Sequence, residues 1–267
     1  MCGICGLLKL PGQKPISRDM LQQMSDLISH RGPDDAGTYV SPNADIGLAN
    51  RRLSIIDPSE SGRQPFTNED GNIWVVYNGE TYNYAEMRSY LQDRGHSFHS
   101  NTDTEIIAHL YEEHGVDCVR YMRGMFAFAL WDQSKRRLFL ARDRLGIKPV
   151  YYAYTPDAFL FASEIKCLLT HPQLKRAVND EALYHYLTFL TTPAPQTLFK
   201  DIFKLPSAHR AIINSDGQIH VEEYWDVFDD SNDDTSYSDA DQADRVVDAL
   251  RESVRLRMVS DVPFGAL

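Results

Sequence analysis

Apolar residues fall in short blocks separated by turn residues along most of the chain, and the spacing within each block predicts its element. Residues 4–10 (ICGLLKL) form a short apolar run before Pro11-Gly12, which suits a buried strand. After Ser17, Met20/Leu21, Met24 and Leu27/Ile28 recur at helical spacing, up to the turn-rich His30-Arg31-Gly32-Pro33-Asp34-Asp35. Short strands are expected at 37–40 and 46–50, followed by Arg51-Arg52-Leu53-Ser54-Ile55-Ile56-Asp57. Residues 73–77 (IWVVY) are strongly β-prone and read as a central strand. That run ends at Asn78-Gly79-Glu80, which reads as a turn, with a glycine that permits positive φ and close approach of a ligand.

A helix over 84–94 should stop at Gly95. Thr102-Asp103-Thr104-Glu105 has capping-box spacing, and the helix it opens should end before Gly115. Residues 126–131 with 138–141, and 151–154 with 159–162, read as two β-hairpins. Helices are expected near 163–169 and 179–190. Strands in hairpin order with a few helices between them predict antiparallel sheets covered by helices, an α+β fold.

Beyond residue 225 the composition changes. Asp229, Asp230, Asp233, Asp234, Asp239, Asp241 and Asp244 crowd a stretch poor in apolar residues, which reads as a solvated linker. Helical spacing resumes at Val246, Leu250, Val254 and Met258. The ending Val262-Pro263-Phe264-Gly265-Ala266-Leu267 is apolar, as expected if the parent chain continues. With 267 residues and 43% hydrophobic residues the chain can bury a full core. A net charge of −11 argues against nucleic acid as a partner. No signal peptide or membrane-spanning run is expected, and four cysteines without a framework spacing suit a reducing cytoplasm.

The candidate chemistry lies at Met1-Cys2-Gly3-Ile4-Cys5-Gly6. Removal of Met1 would leave Cys2 with a thiol and a free α-amine on one residue. A thiol reacts as thiolate, and its ordinary pKa is about 8.5. An α-amine titrates near about 7.7–8.0, so it can accept the thiol proton and later return it to a leaving amine. Cys2 and Cys5 also form a C-x-x-C pair, which leaves a redox disulfide or half a zinc site as alternatives. An extended chain weighs against the disulfide, because residues three apart lie roughly 10 Å from one another. Cys118 and Cys167 stand alone, and no second pair completes a zinc site.

Several motifs resemble, in order, the glutamine-hydrolysing half of asparagine synthetases, class II glutamine amidotransferases among the N-terminal-nucleophile hydrolases. They are MCGICG at 1–6, HRGPD at 30–34, RRLSIID at 51–57, YNGETYN at 77–83, TDTE at 102–105, GMFAFALWD at 124–132 and RDRLGIKPVYY at 142–152. The resemblance implies a four-layer αββα sandwich of two antiparallel sheets. It implies a glutaminase domain over 1–213, a connecting segment with the acidic linker over 214–244, and the beginning of a helical synthetase domain over 245–267. Residues 260–265 resemble the approach to that domain's pyrophosphate-binding loop.

The activity implied is hydrolysis of L-glutamine to L-glutamate and ammonia, with the ammonia passed to an ATP-dependent conversion of aspartate to asparagine. Cys2 would be the nucleophile, with the Asn78 side chain and Gly79 N–H as oxyanion donors. Arg52 would hold the substrate carboxylate and Asp103 its ammonium, and Asp103 reads alternatively as a helix cap. Glu80 would touch the amide or amine, and Leu53, Ser54 and Ile55 would line the pocket. Arg31 would support the site, and Arg51 would stay on the surface. Many relatives carry His before the two arginines, where this chain has Asn50. No metal is expected in these residues; ATP and Mg²⁺ would belong to the missing synthetase domain. Expected partners are L-glutamine and that domain, with no nucleic acid or membrane; a homo-oligomer stays open. A different carboxylate acceptor, a silent glutamine-binding module and a thiol redox protein are the competing readings.

Overall fold

The computed structural model describes residues 1–228, 237–263 and 265. The described residues form two antiparallel sheets of six strands each. The first sheet is built from β1 (Gly3–Lys9), β2 (Asp35–Val40), β3 (Ile46–Arg52), β8 (Tyr151–Tyr154), β9 (Ala158–Ala162) and β10 (Ile202–Lys204). Its order is β10-β8-β9-β1-β3-β2. The second contains β4 (Phe66–Thr67), β5 (Ile73–Thr81), β6 (Gly124–Asp132), β7 (Arg137–Arg142), β11 (His209–Asn214) and β12 (Ile219–Glu223), in the order β12-β11-β7-β6-β5-β4.

Alternation along the strands separates three apolar layers. Ile4, Leu8, Leu48, Val76, Ala127, Ala129, Trp131, Phe159 and Phe161 meet between the sheets. From the first sheet Cys5, Leu7, Ala49, Leu160 and Ala162 face outward onto Leu21, Met24 and Ile28 of the α1 region (α1 is Arg18–Asp26) and onto Cys167 and Leu168 of α4 (Ile165–Leu168). From the second sheet Val75, Tyr77, Phe126, Phe128 and Leu130 face α2 (Tyr84–Gln92) and α3 (Glu105–His114). Each sheet is therefore buried on both faces, and the molecule is the expected four-layer sandwich.

The sequence located the helices closely. Ser17 caps α1 by accepting from Met20 N–H, and Asn179 caps α5 (Asp180–Phe189) by accepting from Ala182 N–H. Four expectations change. Residues 78–80 are no turn: β5 pairs with β6 out to Thr81 opposite Gly124. β5 is also not central, since its outer neighbour is the two-residue β4. The capping box at 102–105 does not form. Glu105 is wholly buried, and its carboxylate takes the N–H groups of His99 and Ser100 instead. Finally, β10, β11 and β12 were not anticipated. The expected boundary at Ile213 falls inside β11, and β12 carries the sheet ten residues further, to Glu223.

The acidic segment is in part helical. α6 (Asp239–Arg257) opens with a complete Ser238/Asp241 capping box, so Asp239 and Asp241 sit where a helix favours negative charge. Asp229, Asp230, Asp233 and Asp234, along with Phe264, Ala266 and Leu267 of the apolar ending, lie outside the described residues. Among the described residues no helix is long and apolar enough to cross a membrane.

Candidate active site

Cys2 stands immediately before β1, which lies between β9 and β3 in the first sheet. Leu53, just past the end of β3, donates its N–H to Cys2 Sγ at 3.4 Å. The HRGPD loop holds the other side. Arg31 Nε donates to the Cys2 carbonyl at 2.9 Å and Nη1 to Glu164 at 3.1 Å. Gly32 is required there, because a Cβ would lie 2.3 Å from the Arg51 backbone.

The thiol opens into a cleft walled by both sheets and by the lead-in to α3. The first sheet's side supplies Cys2, Arg52, Leu53, Ile55 and Ile56; β5 supplies Tyr77, Asn78, Gly79 and Glu80; the lead-in to α3 supplies Thr102, Asp103 and Thr104. The sequence-expected residues thus converge, with one exception. Ser54 does not line the cleft, and its N–H is taken by Asp34 Oδ2 at 2.8 Å. Arg51 also stays outside, where its guanidinium clamps Ser25 and Asp26 at the end of α1.

Asn78 is 1% exposed, and neither atom of its amide has a hydrogen-bond partner. A buried amide without partners costs roughly 1–3 kcal/mol, so its position at the cleft wall is informative. Gly79 has no room for a side chain: a Cβ would sit 2.4 Å from Met125 O across the ladder. Its value is therefore close strand packing rather than positive φ, and its N–H remains on the strand beside Asn78.

Asp103 does not cap α3. Its Oδ2 accepts the Thr81 N–H at 2.8 Å and the Tyr77 hydroxyl at 3.1 Å. Burial raises the carboxyl to about 6 despite those bonds. Burial likewise raises Glu80, opposed by Lys148 and Arg257. Arg52 is buried, and its Nη2 is already used by the Ile56 and Asp57 carbonyls at 2.9 and 2.7 Å. Its Nη1 lies 3.4 Å from the Ser59 carbonyl, so the guanidinium is anchored to the loop after β3 rather than presented as a free bidentate fork.

Lys148 was not anticipated. It is 5% exposed, lines the cleft, and burial lowers its pKa while Glu80 and Cys2 oppose the fall. Its only trace in the sequence is a lysine between Ile147 and Pro149-Val150. Gln64 was also missed; its amide accepts from Tyr77 N–H and donates to Thr104 Oγ1, joining two walls.

Burial pushes the Cys2 thiol up, opposed by the Leu53 N–H. The α-amine of Met1 is pushed down, by burial first, with Arg31 and Lys148 adding to it. Both shifts favour the neutral forms, thiol and free amine, so with Met1 in place they work against transfer of the thiol proton to that amine. Met1 itself lines the cleft, with its Sδ 3.4 Å from Lys148 Nζ.

The C-x-x-C alternative is not supported, because Cys5 is wholly buried in the helix layer and both cysteines are free. Among the described residues one group, His96, His109 and Glu112, brings potential metal-binding atoms within 4.8 Å of one another. None of the three lines the cleft. His109 Nδ1 is paired with Glu112 Oε2 at 2.8 Å, and His96 Nε2 with Glu113 Oε1 at 3.0 Å, as in an ion-pair network.

Comparison with known proteins agrees with this geometry. Residues 1–225 match the family described as glutamine amidotransferase domain. The chain is 37% identical over 266 residues to asparagine synthetase [glutamine-hydrolyzing] 3 of Bacillus subtilis, covering 98% of this chain and 42% of that protein. It is 35% identical over 285 residues to a putative asparagine synthetase [glutamine-hydrolyzing] 2 of Methanocaldococcus jannaschii, covering 100% and 54%. The chain thus spans about half the length of these relatives. The fold matches a solved glutamine phosphoribosylpyrophosphate amidotransferase from B. subtilis with a TM-score of 0.59 at 16% identity, covering 84% of this chain and 49% of that one. The sandwich shares its fold with that solved amidotransferase, and the chain belongs to the glutamine amidotransferase domain family.

Proposed function

We propose that the domain hydrolyses L-glutamine to L-glutamate and ammonia through a γ-glutamyl thioester on Cys2. The observation that carries this reading is the unpartnered, buried Asn78 amide in the same cleft as the Cys2 thiol. Met1 must leave first. While it is present the Cys2 nitrogen is an amide and cannot act as base, and the Met1 side chain occupies the cleft.

With Met1 removed, the Cys2 amine takes the thiol proton and the sulfur attacks the side-chain carbonyl of glutamine. The resulting oxyanion is met by Asn78 Nδ2–H and Gly79 N–H, a pair of donors that does not need to reorganise. The protonated amine then gives its proton to the departing ammonia, and water, activated by the same amine, releases glutamate. Asp103 holds the substrate ammonium, Arg52 its carboxylate, and Glu80 the amide end. Leu53 and Ile55 bound the pocket; Ser54 contributes to the loop behind it.

In a longer protein like the relatives, the ammonia is passed to an ATP- and Mg²⁺-dependent step that converts aspartate to asparagine. Those cofactors belong to the remainder of such a protein, which is also the domain's partner, in the cytoplasm. The reading is tested by glutamate release from glutamine with Met1-processed protein. Cys2→Ala should abolish turnover, and an electrophilic glutamine analogue should label Cys2 alone. Turnover by the Cys2→Ala variant, or labelling of Cys5, would refute it.

A further inference from the structure

The segment that follows α6 turns back to the cleft. Asp261 Oδ2 accepts the Asp57 N–H at 2.8 Å, and Asp261 N–H donates to the Ile55 carbonyl at 3.0 Å. These two bonds clip residues 260–262 onto the loop after β3. The loop's other side is held by Arg52, which donates to the carbonyls of Ile56, Asp57 and Ser59. The Asp57 peptide group is thus gripped from both directions, its N–H by Asp261 and its carbonyl by Arg52.

Asp57 also sits at φ +48°, a left-handed conformation that costs a non-glycine residue about 1–2 kcal/mol. Such a conformation persists where its surroundings over-determine it. Here the Asp57 carboxylate accepts from the N–H groups of Ser59 and Asn101 and from the hydroxyl groups of Ser59 and Ser61. Asp261 supplies the one bond in this set that comes from beyond α6. Ile55 and Ile56, on either side of the clip, line the cleft. The arm runs on from α6, which packs beside the far end of β5 and the start of β6, with Arg257 4.6 Å from the Tyr82 ring and Arg123 paired with Glu252.

We infer that Asp261 is a positioning residue for the glutamine cleft: through Asp57 it fixes the loop that orients Arg52, so substrate affinity follows the position of the segment after α6. The inference rests on the glutaminase reading and adds to it a route by which movement of that segment alters glutamine binding. The relatives are about twice this length, so such a route would couple glutamine binding to the remainder of a longer protein.

Asp261→Ala removes the acceptor and leaves the Asp57 N–H unsatisfied. Asp261→Asn keeps a carbonyl oxygen in the same place, and Asp248→Asn changes an exposed α6 charge away from the clip. In protein spanning residues 2–267, with Met1 removed, Asp261→Ala should raise the KM for glutamine about tenfold with kcat little changed. Asp261→Asn should recover most of that loss, and Asp248→Asn should match the parent. Amide exchange at 55–57 should accelerate in Asp261→Ala and in neither of the others. An unchanged KM in Asp261→Ala, or a fall in kcat at constant KM, overturns the proposal. Should the parent protein fail to turn over glutamine, the glutaminase reading falls by itself. The clip is then judged by exchange, and unchanged protection in Asp261→Ala overturns it.

Discussion

Asn78 illustrates how a side chain can be costly to the fold and useful to the reaction. Because its amide makes no protein hydrogen bond, removing it takes nothing from the folded state that the structure relies on. Asn78→Ala should therefore leave the melting temperature nearly unchanged while lowering kcat by about 10²–10³-fold, as for the loss of an oxyanion donor. Asp103 poses the same conflict in a charge. Its carboxyl is raised from 3.8 to about 6, so the stability it contributes is present below pH 3.8 and lost as pH rises through about 6. At pH 7 the ionised form opposes folding by on the order of 3 kcal/mol, while it is the form that binds an ammonium. kcat/KM for glutamine should accordingly fall as pH drops through about 6. Asp103→Asn should abolish that limb, raise KM and raise the melting temperature at pH 7, since an amide oxygen can accept the Thr81 and Tyr77 bonds. That Cys2, Asn78, Arg52 and Asp103 gather at one cleft was legible from their types and motifs. Lys148 was not, since a lysine's spacing says nothing of whether its head turns inward.

Strand β5 shows where local reading fails. Asn-Gly after an apolar run is a strong short-range turn signal, yet the ladder with β6 carries the strand straight through it to Thr81. The partner strand outweighs the dipeptide. Gly79 is tolerated mid-strand because Met125 O and the Phe126 backbone leave no space for a Cβ. Gly79→Ala should destabilise the protein by about 1–3 kcal/mol, measured by denaturant titration, through separation of β5 from β6. The start of α3 was misread for a related reason. Glu105 has the residue type of a capping box, but full burial makes its carboxylate answer to the His99 and Ser100 amides instead. By contrast, Ser17, Asn179 and the glycines after α2 and α3 marked helix ends well, because capping is a local matter.

At the scale of the whole molecule, hairpin order pointed to antiparallel sheets covered by helices, the family resemblance implied two of them, and the layers follow from which residues alternate. β10, β11 and β12 escaped notice because each holds its place by pairing with a strand already in a sheet, β10 with β8, β11 with β7 and β12 with β11. The sheets are joined by Phe161 and its neighbours, and by Asn50, whose Nδ2 donates to the Tyr77 carbonyl at 3.1 Å. Phe161→Ala should cost about 3–5 kcal/mol of stability, read from chemical unfolding. Cys2 leads into one sheet and Asn78 lies in the other, so the proposed nucleophile and the proposed oxyanion donor stay in register only while the two sheets do. A sub-ångström slip along that seam would leave the strands intact and the secondary structure unchanged to circular dichroism. Ammonia release would nevertheless stop, so on warming, catalysis becomes the earliest thermometer of how firmly one half of the sandwich grips the other.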